Sequence, residues 1–139
     1  MKDILTYILE NNRKVGGTPY TEQEIYDGLE WDIMDLLNEA DIADKVEILE
    51  LWCHGSRMRG DFRPDSDIDV VVFYKGNIKE DALFNILNDE HERGTMDGYT
   101  IDLNPIQVRN KSDIERYKKK SEEYDLTKKV TKLDNLKHL

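Results

Sequence analysis

Residues 67–74 read DIDVVVFY. A run so rich in β-branched and aromatic residues predicts a strand. The run opens with two aspartates at alternate positions, and side chains two apart on a strand share a face. Ile68, Val70 and Val72 must then point into a core, with Asp67 and Asp69 side by side on the opposite face. Two bare carboxylates so placed repel each other, and a strand that only had to be buried would not want them. The chain must bury one face of this strand and find something that offsets the charge on the other.

The neighbouring pattern supplies the layers. VEILELWC (46–53) alternates well enough for a strand that ends at Gly55, and YTIDLNPI (99–106) predicts a third. Helical spacing appears at Ile4, Leu5, Ile8 and Leu9 over 2–12, and again at Ala82, Leu83, Ile86 and Leu87 over 79–92. KVGGTPY breaks the first of these, and the second stops before Gly94. Thr21 and Glu24 form a T-x-x-E capping box. The helix after it places Ile25, Leu29, Ile33, Leu36 and Leu37 on one face, with an interruption expected near Gly28. SRMRG is a short helical turn, KGN and MDG are turns, and Ser112 with Glu115 caps a helix through RYKKKSEEY, followed by a further helix or frayed tail. The order, two helices, then β-(short α)-β-α-β, then helices, predicts one α/β (α+β) domain over 1–139. Its parts are a helical extension (1–45), a core (46–106) and C-terminal helices (107–139).

Composition narrows the function classes. With 139 residues, 38% apolar and 36% charged, the chain reads as one soluble globular domain. No apolar run approaches the roughly 20 residues of a membrane span, and MKDILTYILENNRK has acids where a signal peptide is apolar. A cytoplasmic protein is expected. The single Cys53 excludes an intramolecular disulfide and a cysteine-based zinc cluster, and its apolar surroundings suit an inert thiol. A net charge of −10 argues against long nucleic acid as the partner. Residues 1–106 carry 10 Lys and Arg against 24 Asp and Glu, whereas residues 107–139 carry 10 against 6. Trp31 and Trp52 are expected as core or interface anchors, His54 as a packing or hydrogen-bonding residue, and His91 and His138 as surface residues.

A hard divalent cation is the economical partner for Asp67 and Asp69, since Mg²⁺ typically takes one or two carboxylates plus substrate phosphates. Asp102, between Ile101 and Leu103, would bring a third carboxylate to the same rim if its strand lies beside 67–74. Gly55-Ser56 ends a strand and starts a helical turn, where free N–H groups can cradle a phosphate. Arg57, Arg59 and Arg63 are nearby partners for phosphate or carboxylate. The stretch lacks the G-K-[ST] of a Walker A loop. Carboxylates that bind metal beside a phosphate cradle suit phosphoryl or nucleotidyl transfer.

The stretch GSRMRGDFRPDSDIDVVV, reading G-S-x₁₀-D-x-D, followed by Asp102 on a later strand, resembles the signature of the DNA polymerase beta-like nucleotidyltransferase superfamily. The spacing is similar to that of its minimal, stand-alone members, and the likeness extends to Arg57, Arg59, Gly60, Ser66 and Ile68. It covers about residues 46–106. His54 and Met58 depart from the usual phrase, where an apolar or aromatic residue and an alanine are common. The resemblance implies a nucleotidyltransferase fold, with a small mixed β-sheet and flanking helices; the N-terminal helical extension, 1–45, lies outside it. It also implies Asp67, Asp69 and Asp102 as catalytic and metal-ligating residues of a two-Mg²⁺ site. Gly55, Ser56, Arg57, Arg59 and Ser66 would be nucleotide-binding. The reaction implied is transfer of a nucleoside monophosphate, AMP from ATP being favoured, onto a hydroxyl with release of pyrophosphate.

Many minimal members resemble antitoxins that adenylylate a tyrosine of a small helical HEPN-type RNase toxin, so a protein side chain is the favoured acceptor and a dimer or hetero-complex is open. Two alternatives stand beside this. One is a small-molecule acceptor of the antibiotic kind, for which the 33 residues after Ile106 look short. The other is a module that silences a partner by contact alone.

Overall fold

The computed structural model describes residues 13–88 and 95–137. The helix expected over 2–12, the end of the one expected over 79–92, and His91, Gly94 and His138 lie outside the described residues. The chain divides into two compact units, Met1–Gln107 and Val108–Leu139.

The first unit is a mixed α/β layer, as the strand and helix patterns predict. Helix α1 (Glu22–Glu39) is followed by β1 (Val46–His54), the short α2 (Ser56–Arg59), β2 (Ile68–Gly76), α3 (Glu80–Leu87), β3 (Thr95–Met96) and β4 (Tyr99–Gln107). The four strands form one sheet in the order β1-β2-β4-β3. β1 pairs antiparallel with β2, β2 parallel with β4, and β3 antiparallel with β4. The parallel pair needs a crossover, and α3 lies in it.

α1 begins at the expected capping box. The Thr21 hydroxyl accepts from the Glu24 N–H at 3.3 Å, and the Glu24 carboxylate accepts from the Thr21 N–H at 3.1 Å. The helix continues unbroken through Gly28, because Ile25, Leu29, Ile33 and Leu37 all lie buried on one side and packing outweighs the roughly 1 kcal/mol that a mid-helix glycine costs. Their partners are Ile68, Val70, Val72 and Tyr74 of β2, Leu83 and Leu87 of α3, and Ile101 and Leu103 of β4. Each fully buried side chain of this kind contributes about 1.5–3 kcal/mol. β2 is central and buried on both faces from Val70 to Tyr74. A shift of register at Leu49 lets Leu51 and Cys53 of β1 face the same core.

β2 starts at Ile68, so Asp67 immediately precedes the ladder instead of opening it. β3 was not anticipated. Asp97 and Gly98, both with positive φ, close a two-residue hairpin between β3 and β4, and an Asp-Gly pair is a strong signal for that turn.

Among the described residues the second unit holds one helix, α4 (Lys111–Lys137), in place of the helix and further segment expected. Its N-terminal bond comes from Asn110, whose side-chain oxygen accepts from the Asp113 N–H at 3.1 Å. Ser112 lies inside the first turn and does not start the helix.

Candidate active site

β1 runs into its terminal turn under restraint from α1. The Cys53 N–H donates to the Tyr26 hydroxyl at 2.9 Å, and that hydroxyl donates to the buried Glu22 carboxylate at 2.9 Å. Arg13 pairs with the same carboxylate. Burial, first of all, raises the Tyr26 hydroxyl and pushes the Cys53 thiol up to about 12, so Cys53 is an inert packing group.

Two residues later the chain turns at Gly55, with φ 88°. The turn needs glycine twice over. The angle lies where side chains are strained, and a Cβ here would stand 2.2 Å from Asp69 Oδ2. The Asp69 carboxylate therefore rests against the backbone of the Gly-Ser turn. Within α2, the N–H groups of Met58 and Arg59 both reach Gly55 O, and that of Gly60 reaches Ser56 O. The N–H groups of Ser56 and Arg57 precede the first of these bonds.

Register places the acids. Asp69 is the Cα partner of His54 on one side and of Asp102 on the other. Directly opposed residues share a face, so His54, Asp69 and Asp102 form one row across β1, β2 and β4. Ile68, Val70, Ile101 and Leu103 point to the core on the other face. The parallel pairing of β2 with β4 thus meets the condition on which the convergence of Asp69 and Asp102 depended. Asp69 is half-buried, and its carboxyl is raised to about 6. Burial is the largest cause, then the charges of Asp102 and Asp67, with Arg59 opposing. All three carboxylates and Arg59 act on one point.

Arg59 also pairs with Asp61 at 3.3 Å. Ser66 closes the loop ahead of β2, its hydroxyl accepting from the Arg63 N–H at 2.8 Å. The side chain of Arg57, expected among the nucleotide-binding residues, is taken up by the fold, which leaves its backbone N–H as the group that could meet a nucleotide. The residue is 4% exposed. Its guanidinium donates to Ser66 O at 2.9 Å, Gly16 O at 2.8 Å and Pro64 O at 3.2 Å. It also lies over the rings of Phe62 and Tyr99. With those bonds made, Arg57 is a pin that joins the Val15–Tyr20 loop, α2 and the loop before Asp67. Gly16 and Gly17 allow the close approach, since a Cβ on either would meet Phe62 within 2.6 Å.

One further support has no local signal in the sequence. Asn88 is buried, and its amide completes the edge of β4 beyond the short β3. Nδ2 donates to Leu103 O at 2.7 Å, and Oδ1 accepts from the Leu103 N–H at 3.0 Å. Leu103 adjoins Asp102, so this clip fixes the backbone that carries the third acid. His54 stacks on Trp52 with centroids 5.3 Å apart, and Trp52 stacks on Phe73.

Among the described residues, no three His, Cys, Asp or Glu side chains are gathered closely enough to hold a metal ion by themselves. The donor chemistry still fits a hard cation that shares its shell with phosphate oxygens. The mutual repulsion focused on Asp69 is what such a cation would relieve.

The model of one family, described as a nucleotidyltransferase domain, matches residues 33–133. The match begins inside α1 and ends inside α4, wider at both ends than the 46–106 span of the sequence motif. Neither a search of curated proteins nor a search of solved structures finds a match. No helix among the described residues is long and apolar enough to cross a membrane.

Proposed function

Because the chain belongs to the nucleotidyltransferase domain family, we propose that it transfers AMP from ATP, with Mg²⁺, to a hydroxyl on a partner protein. The observation that carries this reading is the row of Asp69 and Asp102 on adjacent parallel strands, with the Gly55 turn closed against Asp69. Family membership supports the reaction class, nucleotidyl transfer. The donor base, the metal and the protein acceptor, of which a HEPN-type toxin is one instance, are the proposal's own.

Asp67, Asp69 and Asp102 would hold Mg²⁺, which when bound orients the triphosphate and makes the acceptor hydroxyl easier to deprotonate. The N–H groups of Ser56 and Arg57, which precede the first bonds of the turn, would donate to the departing phosphates, where charge develops. Arg59 adds positive charge beside Asp69. Asp102 takes the hydroxyl proton as the acceptor oxygen bonds to the α-phosphorus. The bond from that phosphorus to the oxygen bridging to the β-phosphate breaks, and pyrophosphate leaves.

The test uses α-labelled ATP, Mg²⁺ and a cell extract, with products resolved on a denaturing gel and by thin-layer chromatography. Label should enter a protein band, and Asp67→Ala/Asp69→Ala should lower it by at least about 100-fold with the fold intact. Label found only in small molecules would transfer the role of acceptor to an antibiotic-like hydroxyl. Equal labelling by the variant would end the reading altogether.

A further inference from the structure

The outer side of α1 carries a feature that neither the core nor the acid rim uses. Trp31 is 77% exposed and Met34 is 42% exposed. They are three apart on the helix and so adjoin on its surface. Scattered exposed apolar residues are ordinary, but an exposed Trp beside a Met is the composition of an interface centre.

The charge around them is one-sided. α1 contains seven Asp and Glu and no Lys or Arg. Glu22 is buried, and Glu24, Asp27, Glu30, Asp32, Asp35 and Glu39 are exposed. Glu24 and Asp27, Asp27 and Glu30, and Asp32 and Asp35 are like-charged pairs at i,i+3, and Asp35 and Glu39 at i,i+4. Such pairs destabilise a helix. Glu39 also stands at the C-terminal end, where the helix dipole disfavours an anion and where no basic residue compensates. Glu24 is offset by its capping bond to the Thr21 N–H and Asp27 by the Gln23 amide, but from Glu30 to Glu39 the acids are a cost to α1 in isolation, and a cationic partner would relieve them.

We propose that the outer face of α1 docks a Lys- and Arg-rich amphipathic helix of a partner protein, with Trp31 and Met34 as its apolar anchors. Charge complementarity selects the occupant: basic side chains meet the exposed carboxylates around Trp31 and Met34, while an apolar stripe covers the Trp and Met. The apolar side of α1 packs on the core face of the sheet, whereas Asp69 and Asp102 occupy the other face. Docking leaves the acid rim open, and it stands whether or not the acceptor is a protein.

The probe is a dye-labelled amphipathic peptide built from Leu and Lys, titrated with the full chain and read by fluorescence anisotropy. Binding should saturate in low salt and weaken at least about tenfold between roughly 0.05 M and 0.5 M NaCl. Trp31→Ala/Met34→Ala, both at exposed positions, should weaken it at least about tenfold, with an unchanged circular dichroism spectrum. Asp69→Asn should leave it unchanged. Equal affinity for the double variant, equal affinity for a Leu and Glu peptide, or no binding would overturn the proposal. Sedimentation velocity without peptide provides a further check. A dimer that the double variant dissolves would assign the face to a second copy of the chain and overturn it as well.

Discussion

Asp69 is where fold and chemistry conflict. Its carboxyl titrates near 6 in the folded chain against 3.8 for an ordinary aspartate, from burial first and from Asp102 and Asp67 next. Between those two values the folded state binds more protons than the unfolded state, so stability falls as pH rises through the window. The penalty is complete above about pH 6 and absent below about pH 4. Asp69→Asn should therefore stabilise the metal-free protein by about 1–2 kcal/mol at pH 8, with the gain fading on acidification. Thermal melts of both proteins across that range check this, and a destabilised variant at pH 8 would contradict it. The two-residue alternation of Asp67 and Asp69 was readable from sequence because side-chain direction on a strand is local. The role of Arg57 was not. Its partners Gly16, Pro64 and Ser66 are carbonyls whose positions depend on where distant loops are folded.

The strands β1, β2 and β4 follow from periodicity and turns, and the sequence predicts them within a residue or two; for α1 it predicts the start and the buried face, but not the unbroken run through Gly28. Pairing is another matter. Nothing local in YTIDLNPI says that it lies parallel to β2, and only that pairing sets Asp102 beside Asp69. The helical spacing over 79–92 places Asn88 inside a helix, yet it follows the last helical residue, Leu87, and acts as a one-residue strand against Leu103. The edge it completes is needed because β3 pairs only with Tyr99 and Thr100. Asn88→Ala leaves the Leu103 N–H and C=O without partners in a buried place. The variant should lose about 2–3 kcal/mol, measured as a lower midpoint in urea at constant slope. A midpoint within experimental error of the parent would show that the clip does not hold β4.

For the whole molecule, the dominant quantity is charge. The residues that carry the acid rim, 1–106, bear 10 basic side chains against 24 acidic ones, a net of −14. A nucleoside triphosphate is itself strongly anionic, so bare ATP meets repulsion both from the unit and from Asp67, Asp69 and Asp102. The Gly-Ser turn and Arg59 are too few to reverse that. A divalent cation between the carboxylates and the phosphates turns the same arrangement into an attraction. Nucleotide binding should consequently depend on the metal to a degree that a generic anion site would not.

Isothermal titration of the full chain with ATP, with and without Mg²⁺, beside Asp67→Ala/Asp69→Ala, tests that dependence. ATP binding should saturate with Mg²⁺, with none resolved without it and none in the variant under either condition. ATP binding that persists without Mg²⁺, or that the variant retains in full, would contradict the acid rim as the nucleotide site.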